Sequence, residues 1–242
     1  MPHCVPPETD QDLRVGGFQP FTSLDFPGHL SAVVFCQGCP LSCVYCHNQD
    51  LLPVASEGQY SWQYILAHLE SRKGLLDAVV FSGGEPLMQA ALEPVIRQVR
   101  SLGYKIGLHT AGTAPSRLHR LLPYLDWVGL DIKAMPQGYA SLTGVANAGS
   151  KAWQSLDILV GSDVDFEVRT TIWPETFEAG LNAGDITELA KRLRIAGVKS
   201  FALQEARDPQ TTLPLRGDVV MDQGLLSHLA ATFDSFDLRR AA

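Results

Sequence analysis

The sequence predicts an α/β fold whose strands form a mainly parallel sheet. Short apolar runs, typical of buried strands, alternate with amphipathic stretches, typical of helices, along most of the chain. Strands separated in this way by helices indicate right-handed βαβ units. The chain has 242 residues, 45% of them hydrophobic, which is enough for one large core. The pattern fits either an open doubly wound sheet or part of a β/α barrel, and periodicity does not choose between them.

The predicted strands share an apolar interior and end at polar or glycine residues. Ser61 is a suitable N-cap for the first helix, Pro94 is expected to kink or interrupt the second, and Gly103 ends it. The six strands are predicted at 31–35, 78–82, 105–109, 127–132, 166–172 and 200–204. Helices are predicted at 61–72, 87–102, 115–122, 151–160, 185–196 and 222–233.

Composition predicts one domain and a cytoplasmic location. Residues 1–13, which include Cys4, are polar and contain prolines, so we expect a mobile tail. Residues 14–242 are expected to form a single domain, with a core at about 28–205 and a C-terminal helical extension at about 206–242. No apolar run is long enough for a transmembrane helix, and residues 1–10 lack the basic and apolar regions of a signal peptide, so we expect neither. The net charge of −7 argues against a nucleic-acid partner.

Four of the five cysteines lie close together after the first predicted strand. Cys39, Cys43 and Cys46 have the spacing C-x3-C-x2-C, with Tyr45 directly before the last. Thiolates are soft ligands, and three of them on a four-iron cluster would leave one iron open for a small molecule. Two alternatives remain: a structural zinc site that also uses Cys36, and a disulfide pair, which no secretory segment supports.

Further polar residues collect where the predicted strands end. Because the carboxyl ends of parallel strands meet at one edge of a sheet, these residues and the cysteine loop are expected to share one ligand site. Arg169 stands inside an apolar run, where an unpaired charge is costly, so it is expected either to form a salt bridge with Glu85 or another carboxylate or to contact a ligand. The other strand-end residues are Gly83, Gly84, His109, Thr110, Asp131, Lys133 and Gln204.

The cysteine motif and its flanking words resemble a known family. The spacing, with Tyr45, resembles the signature of the radical S-adenosylmethionine (SAM) enzymes. The flanking words at 25–28, 33–39 and 45–48 are similar to those of the activating enzymes of glycyl-radical proteins, in particular the long form of the activating protein of anaerobic ribonucleoside-triphosphate reductase. The similarity extends from about Gly16 to about Gln204. It implies a six-stranded parallel partial (β/α)6 barrel.

The resemblance also implies the cofactors and their ligands. Cys39, Cys43 and Cys46 would hold three irons of a [4Fe-4S] cluster, and the fourth iron would bind SAM. One electron would then cleave SAM to methionine and a 5′-deoxyadenosyl radical. Cys36 is expected to be a small buried residue at a strand end. The residues that would contact SAM are Tyr45, Asn48, Gly83, Gly84, Glu85, Thr110, Asp131, Lys133, Arg169 and Gln204.

The implied reaction is abstraction of a glycine α-hydrogen in a partner glycyl-radical enzyme. The expected partner is anaerobic ribonucleotide reductase, and a flavodoxin or ferredoxin is the expected electron donor because the sequence has no second cysteine cluster. His109-Thr-Ala-Gly112 departs from the Asp-Thr-Asn-Gly of related activases, which weakens any role for His109 and Ala111. Two alternatives stay open: a radical SAM enzyme with a small-molecule substrate, as in modified-base biosynthesis, and a zinc-stabilised protein without catalysis.

Overall fold

A computed structural model describes residues 12–172, 181–207 and 223–240, which form one eight-stranded sheet with helices. Residues 1–11 of the predicted tail, which include Cys4, lie outside the described residues. Leu13, at the end of the predicted tail, is buried in the core. The strands are β1 Val15–Thr22, β2 Ser31–Cys36, β3 Ala78–Gly83, β4 Lys105–Thr110, β5 Trp127–Asp131, β6 Asp165–Ile172, β7 Ser200–Glu205 and β8 Ser235–Arg239. The α-helices are α1 Trp62–Ser71, α2 Leu92–Ser101, α3 Pro115–Leu121, α4 Tyr139–Thr143, α5 Ala148–Val160, α6 Ala183–Ala196 and α7 Gln223–Thr232.

The six predicted strands are confirmed as β2 to β7, and the sheet has one more strand at each edge. β1 pairs antiparallel with β2, and β8 pairs parallel with β7. The predicted count of six parallel strands is therefore corrected to seven, β2 to β8. The described part of the predicted helical extension holds the expected helix, α7, but continues into a strand. β8 is short and half-exposed, and β1 contains two glycines and a proline, so neither has the apolar run that marks a buried strand.

The order of the strands decides between the two architectures that the sequence left open. A doubly wound sheet reverses its strand order at a switch point. Here each strand pairs with its neighbours in sequence from β1 to β8, which is the winding of a β/α barrel. Within the described residues no pairing joins β1 to β8, so the sheet is an open, partial barrel.

The two faces of the sheet carry different residues. On one face, apolar side chains such as Phe81 and Leu130 join the helices in the main core. On the other face, a smaller cluster fills the start of the strands, where Phe26 packs against Trp127 with ring centroids 5.7 Å apart. Gly107 makes room for Phe26, because a Cβ there would lie 3.1 Å from its ring. This inner face is therefore filled at the amino ends of the strands, and polar groups occupy the carboxyl ends.

The helices match their predicted positions, with two corrections. The predicted helix at 87–102 is split into a 3₁₀ turn, Pro86–Met88, and α2. Pro94 does not kink α2, because it lies in the first turn, where the backbone N–H groups have no helical acceptor. Residues 136–150, for which neither a helix nor a strand was predicted, contain α4 and the start of α5.

Candidate active site

A cavity of about 360 Å³ opens at the carboxyl ends of the strands. The cysteine loop forms one wall, and the ends of β7 and β8 form the opposite wall. The cavity is lined by Cys39, Leu41, Cys43, Tyr45, Cys46, His47, Asn48, Leu52, Ser82, Gly83, Gly84, His109, Thr110, Ala111, Asp131, Lys133, Thr171, Gln204, Glu205, Ala206, Arg207, Arg239 and Arg240. Eleven of the thirteen residues that the sequence singled out for cluster or SAM binding are in this set.

The cysteine loop is held in place by backbone hydrogen bonds on both sides. Ser42 N donates to Thr143 O at 2.9 Å, and Val44 N donates to Leu142 O at 3.1 Å, so the centre of the loop is fixed to α4. Cys39 N donates to Leu52 O at 3.1 Å on the other side. The protein therefore positions the three thiols through its own backbone.

The three partly buried thiols fit a cluster better than a single zinc ion. Burial raises the pKa of Cys39 to about 12 and also raises that of Cys43, so metal binding must displace protons. Among the described residues, no three His, Cys, Asp or Glu side chains gather around one ion position. Cys36, the fourth thiol of the zinc alternative, is fully buried and absent from the cavity lining. Three thiols that share a cavity without converging on one point suit ligands of three different irons.

The double glycine brings β3 against the start of the cysteine loop. Gly83 has a φ of 115°, and a Cβ on it would overlap the backbone of Cys36. A Cβ on Gly84 would overlap the carbonyl oxygen of Gly38. Glu85 N donates to that same oxygen at 2.9 Å. Only glycine allows this close approach, which places the backbone of Gly83 and Gly84, at the end of β3, at the cavity wall with the thiols.

The Glu85 side chain points away from the cavity. It is completely buried, and its carboxylate accepts hydrogen bonds from Thr110 Oγ1 at 2.6 Å, Ala111 N at 2.8 Å and Leu87 N at 3.1 Å. Burial raises the pKa of Glu85, although these three hydrogen bonds oppose the shift. The expected contact between Glu85 and SAM therefore stays a prediction, and in this structure the carboxylate joins the end of β3 to the end of β4.

Asp131 and Lys133 lie together at the end of β5, as their alternation predicts. Lys133 Nζ is 3.1 Å from Asp131 Oδ2 and 5.5 Å from the centroid of the Tyr45 ring. Burial disfavours the charged form of Lys133, but Asp131 and then Tyr45 outweigh it, so the pKa of Lys133 is raised well above its usual value. A charged lysine is therefore fixed at the cavity wall, next to the aromatic ring that precedes Cys46.

Arg169 lies beneath the cavity and is absent from its lining. Arg169 Nε donates to Glu167 Oε1 at 2.9 Å, and its guanidinium lies 5.0 Å from the Trp127 ring. Its Nη2 is 3.3 Å from His109 Nε2. Burial, then the charge of Arg169, lowers the pKa of His109 well below its usual value. Of the two expectations for Arg169, the salt bridge is the one observed, with Glu167 in place of Glu85.

The cavity also contains residues that the sequence analysis did not identify. Arg239 is the last residue of β8, and Arg240 follows it. The only sequence signal for this strand is the alternation of Phe236 and Leu238 with charged residues. Arg207 was not identified because it lies beyond the last predicted strand.

The other predicted residues, Tyr45, Asn48, Thr110 and Gln204, line the cavity as expected. None of the helices in the described segments is both long and apolar enough to span a membrane.

Comparison with known sequences identifies relatives across most of the chain. The chain is 27% identical over 206 residues to a protein of Methanocaldococcus jannaschii whose name assigns it provisionally as a glycyl-radical enzyme activating enzyme, covering 81% of this chain and 83% of that one. It is 29% identical over 187 residues to a pyruvate formate-lyase-activating enzyme of Clostridium pasteurianum, covering 75% and 77%.

Solved structures share the fold at low sequence identity. Streptococcus suis SuiB bound to its precursor peptide SuiA matches with a TM-score of 0.64 and 13% identity over 86% of this chain. The chain spans about half the length of SuiB, 48%. Escherichia coli QueE matches with a TM-score of 0.56 and 19% identity, covering 95% of this chain and 94% of QueE.

The match to a family extends over the site itself. Residues 33–183, more than half of the chain, match the model of the Radical SAM superfamily, and this region contains the cysteine loop, the double glycine and Lys133. Radical SAM enzymes use a [4Fe-4S] cluster and SAM, and the three thiols of the cavity fit the cluster. The chain is an enzyme and belongs to the radical SAM superfamily.

Proposed function

We propose that this chain is an activating enzyme that generates a glycyl radical in a partner protein. The observation that carries the proposal is that the three thiols of the radical SAM motif line one cavity, in a chain whose relatives are named as activating enzymes, one of a glycyl-radical enzyme and one of pyruvate formate-lyase. Relatives with that name are similar along most of their own length, 83% and 77%. The likeness therefore extends well beyond the cysteine motif.

Each wall of the cavity has a part in the proposed reaction. Cys39, Cys43 and Cys46 would hold the cluster, which together with SAM would supply the radical chemistry. Lys133 is charged and fixed, so it is suited to hold the carboxylate of SAM. The Tyr45 ring lies beside it and is buried, which keeps water from that part of the cavity.

The backbone at the double glycine is suited to the amino group of SAM. Gly83 and Gly84 line the cavity with no side chain between their backbone and a ligand. Asn48, Thr110, Asp131 and Gln204 line the remainder of the cavity and are proposed as further contacts for SAM. Arg169 and Glu85 are proposed to support the site from behind, because their side chains are paired within the protein.

A glycine of a partner protein must enter between the cysteine loop and the β7–β8 wall. Peptides are bound in two solved structures of this fold: SuiB with SuiA, and anSMEcpe with a peptide, the latter at a TM-score of 0.61. These structures support the view that this fold admits a peptide. We propose a glycine loop as the substrate here.

The proposed partner is anaerobic ribonucleotide reductase. The support is the resemblance of the flanking words at 25–28 and 45–48; the relatives with a named partner act on pyruvate formate-lyase instead. Four of the five cysteines lie in β2 and its loop, so the sequence offers no second cluster to relay an electron, and a flavodoxin or ferredoxin is the proposed donor. We place the enzyme in the cytoplasm, where thiols stay reduced.

The test is anaerobic radical transfer to purified partners. The reconstituted enzyme, with dithionite and SAM, is mixed either with anaerobic ribonucleotide reductase or with pyruvate formate-lyase, and the glycyl radical is measured by electron paramagnetic resonance. We expect a signal with the reductase that requires Cys39, Cys43 and Cys46. A signal with the lyase alone would correct the partner, and SAM cleavage without a radical in either protein would contradict the activase.

The rival is a radical SAM enzyme with a small-molecule substrate. It is supported by a solved structure of this fold, TYW1 with a lysine-pyruvate adduct bound, which matches with a TM-score of 0.58 and shows that the fold admits a small molecule. The same experiment separates the two, because a small-molecule enzyme would leave both partner proteins without a radical.

A further inference from the structure

The wall of the cavity opposite the cysteine loop is basic. Four basic side chains, Lys133, Arg207, Arg239 and Arg240, line the cavity, with two acidic ones, Asp131 and Glu205. Lys133 already pairs with Asp131, so the arginines at the ends of β7 and β8 dominate the charge of this wall. The chain as a whole carries a net charge of −7. A basic wall in an acidic protein attracts anions to one place, because charge lining a cleft focuses the field there.

Arg239 is held rigidly at the centre of this wall. Its Nε donates to Asp237 Oδ2 at 2.9 Å, and its Nη2 donates to Glu167 Oε2 at 2.9 Å. Its Nη1 lies 3.4 Å from Gln204 Oε1. These contacts use the single N–H of Nε and one N–H of each Nη. They leave one N–H on each Nη available, and the side chain is about one-third exposed. A guanidinium fixed in this way loses little entropy when it binds an oxyanion.

Glu167 explains why Arg239 lies at this place. Its carboxylate is 90% buried and holds two guanidinium groups at once, those of Arg169 and Arg239, each at 2.9 Å. Glu167 and Arg169, both on β6, thereby link the end of β8 to the inner face of the sheet. Glu167 and Asp237 together balance the charges of Arg169 and Arg239. The excess positive charge of this wall therefore comes from Arg207 and Arg240, which outnumber the one further acid, Glu205.

Arg207 and Arg240 are exposed cations of the same wall. Both line the cavity, and within the part of the chain that the structure describes neither forms an ion pair. Long exposed arginines keep their rotamer freedom, so they are able to close on a ligand held by Arg239.

We propose that Arg207, Arg239 and Arg240 form an oxyanion subsite that binds a carboxylate of the substrate. The inference rests on the proposed function, which places the substrate between this wall and the cysteine loop. The carboxylate comes either from an acidic side chain near the target glycine of a partner or from a free small acid. In both cases its role is to orient the substrate, and no covalent step is involved.

The test measures binding and requires no radical transfer. The reconstituted enzyme with SAM is titrated anaerobically into a rhodamine-labelled glycine peptide flanked by glutamates, and into the matching peptide with glutamines, and fluorescence anisotropy is recorded. We expect the glutamate peptide to bind more tightly, with an affinity that falls as salt rises. The double variant R207Q/R240Q should weaken it about tenfold, the sum of two partly screened charge contacts.

A matched variant removes the same charge elsewhere. Lys191 and Arg192 are exposed on α6, so K191Q/R192Q changes the net charge equally, far from the cavity lining. It should leave peptide affinity unchanged. Equal binding of the two peptides, or an equal loss in K191Q/R192Q, would overturn the subsite. A loss of SAM affinity in R207Q/R240Q as large as the loss of peptide affinity would assign these arginines to SAM and would also overturn it.

Competition by succinate identifies the source of the carboxylate. Displacement of the peptide by millimolar succinate supports the subsite with a small acid as ligand; displacement only by unlabelled glutamate peptide supports it with a protein segment as ligand. If the peptide binds as expected but no partner acquires a radical, the activase proposal fails while the subsite stands. The two claims are therefore separable.

Discussion

Replacing Glu85 with glutamine tests whether this residue supports the site or binds SAM. The carboxylate accepts two donors on Oε1, Thr110 Oγ1 and Leu87 N, and one on Oε2, Ala111 N. In E85Q one oxygen becomes an amide nitrogen, which cannot accept. If the nitrogen faces Ala111, that N–H loses its acceptor; if the amide is flipped, the N–H of Leu87 loses its acceptor while the Thr110 hydroxyl is able to rotate.

At least one buried backbone donor is therefore left without a partner in E85Q. An unsatisfied buried donor costs about 1–3 kcal/mol. For a chain of this size, 1 kcal/mol lowers the melting temperature by about 2–4 °C, so the expected loss is about 2–12 °C. The loss should appear without any change in the ability of the cysteine loop to hold iron, because Glu85 contacts no thiol ligand in its hydrogen bonds.

The assay compares thermal unfolding, iron content and SAM affinity in E85Q and a control. Glu188 is exposed on α6, and E188Q should change the free energy of unfolding by no more than about 0.5 kcal/mol. We expect E85Q to melt earlier than E188Q, with SAM affinity reduced only to the extent that Thr110 and the β4 end shift. An unchanged melting temperature together with a tenfold loss of SAM affinity would contradict the supporting role of Glu85 and indicate that it contacts SAM directly.

Three further predictions concern the glycines, the thiols and pH. G84A should destabilise the protein by about 1–3 kcal/mol and lower its iron content, because the added Cβ overlaps the cysteine loop backbone; G161A, where a Cβ has ordinary contacts, is the control for both measurements. C39A should abolish SAM cleavage measured as 5′-deoxyadenosine, whereas C36A should retain much of it and lose about 1 kcal/mol of stability in denaturant titration; equal loss in both variants would contradict the ligand set. Because burial raises the folded-state pKa of Glu85, its contribution to stability is present below the unfolded pKa of about 4.3 and lost as pH rises through the folded pKa. The free energy of unfolding, measured as a function of pH, should fall over this range in the wild type by the contribution of Glu85, and should not do so in E85Q. The same dependence on pH in both proteins would contradict the raised pKa.

The sequence predicts the buried strands because each is a short apolar run. β2 to β7 were predicted within one or two residues for this reason. The edge strands lack this signal: β1 reads Val-Gly-Gly-Phe-Gln-Pro, and every residue of β8 is exposed or half-exposed. The proposed oxyanion subsite was not predicted because β8 was not predicted. Arg239 lies at the cavity because that strand pairs with β7.

Site residues were predictable where spacing alone brings them together. The three cysteines and the Asp131–Lys133 pair are local patterns, and the structure places both at the cavity. The hydrogen-bond partners of Glu85 and Arg169 were not predicted, because the sequence does not show which carboxylate or donor lies nearest to each in space. The partners of Arg169 are Glu167 on its own strand and His109 on β4, and sequence gives no means to rank these over Glu85.

The most direct test of the activase is to follow the hydrogen itself. Anaerobic ribonucleotide reductase is prepared with glycine deuterated at the α-carbon and incubated with reconstituted enzyme, dithionite and SAM, and the 5′-deoxyadenosine is analysed by mass spectrometry. We expect one deuterium in the product, in an amount that matches the glycyl radical measured by electron paramagnetic resonance. Unlabelled 5′-deoxyadenosine and no radical in the reductase, from an enzyme with a full cluster, would contradict it.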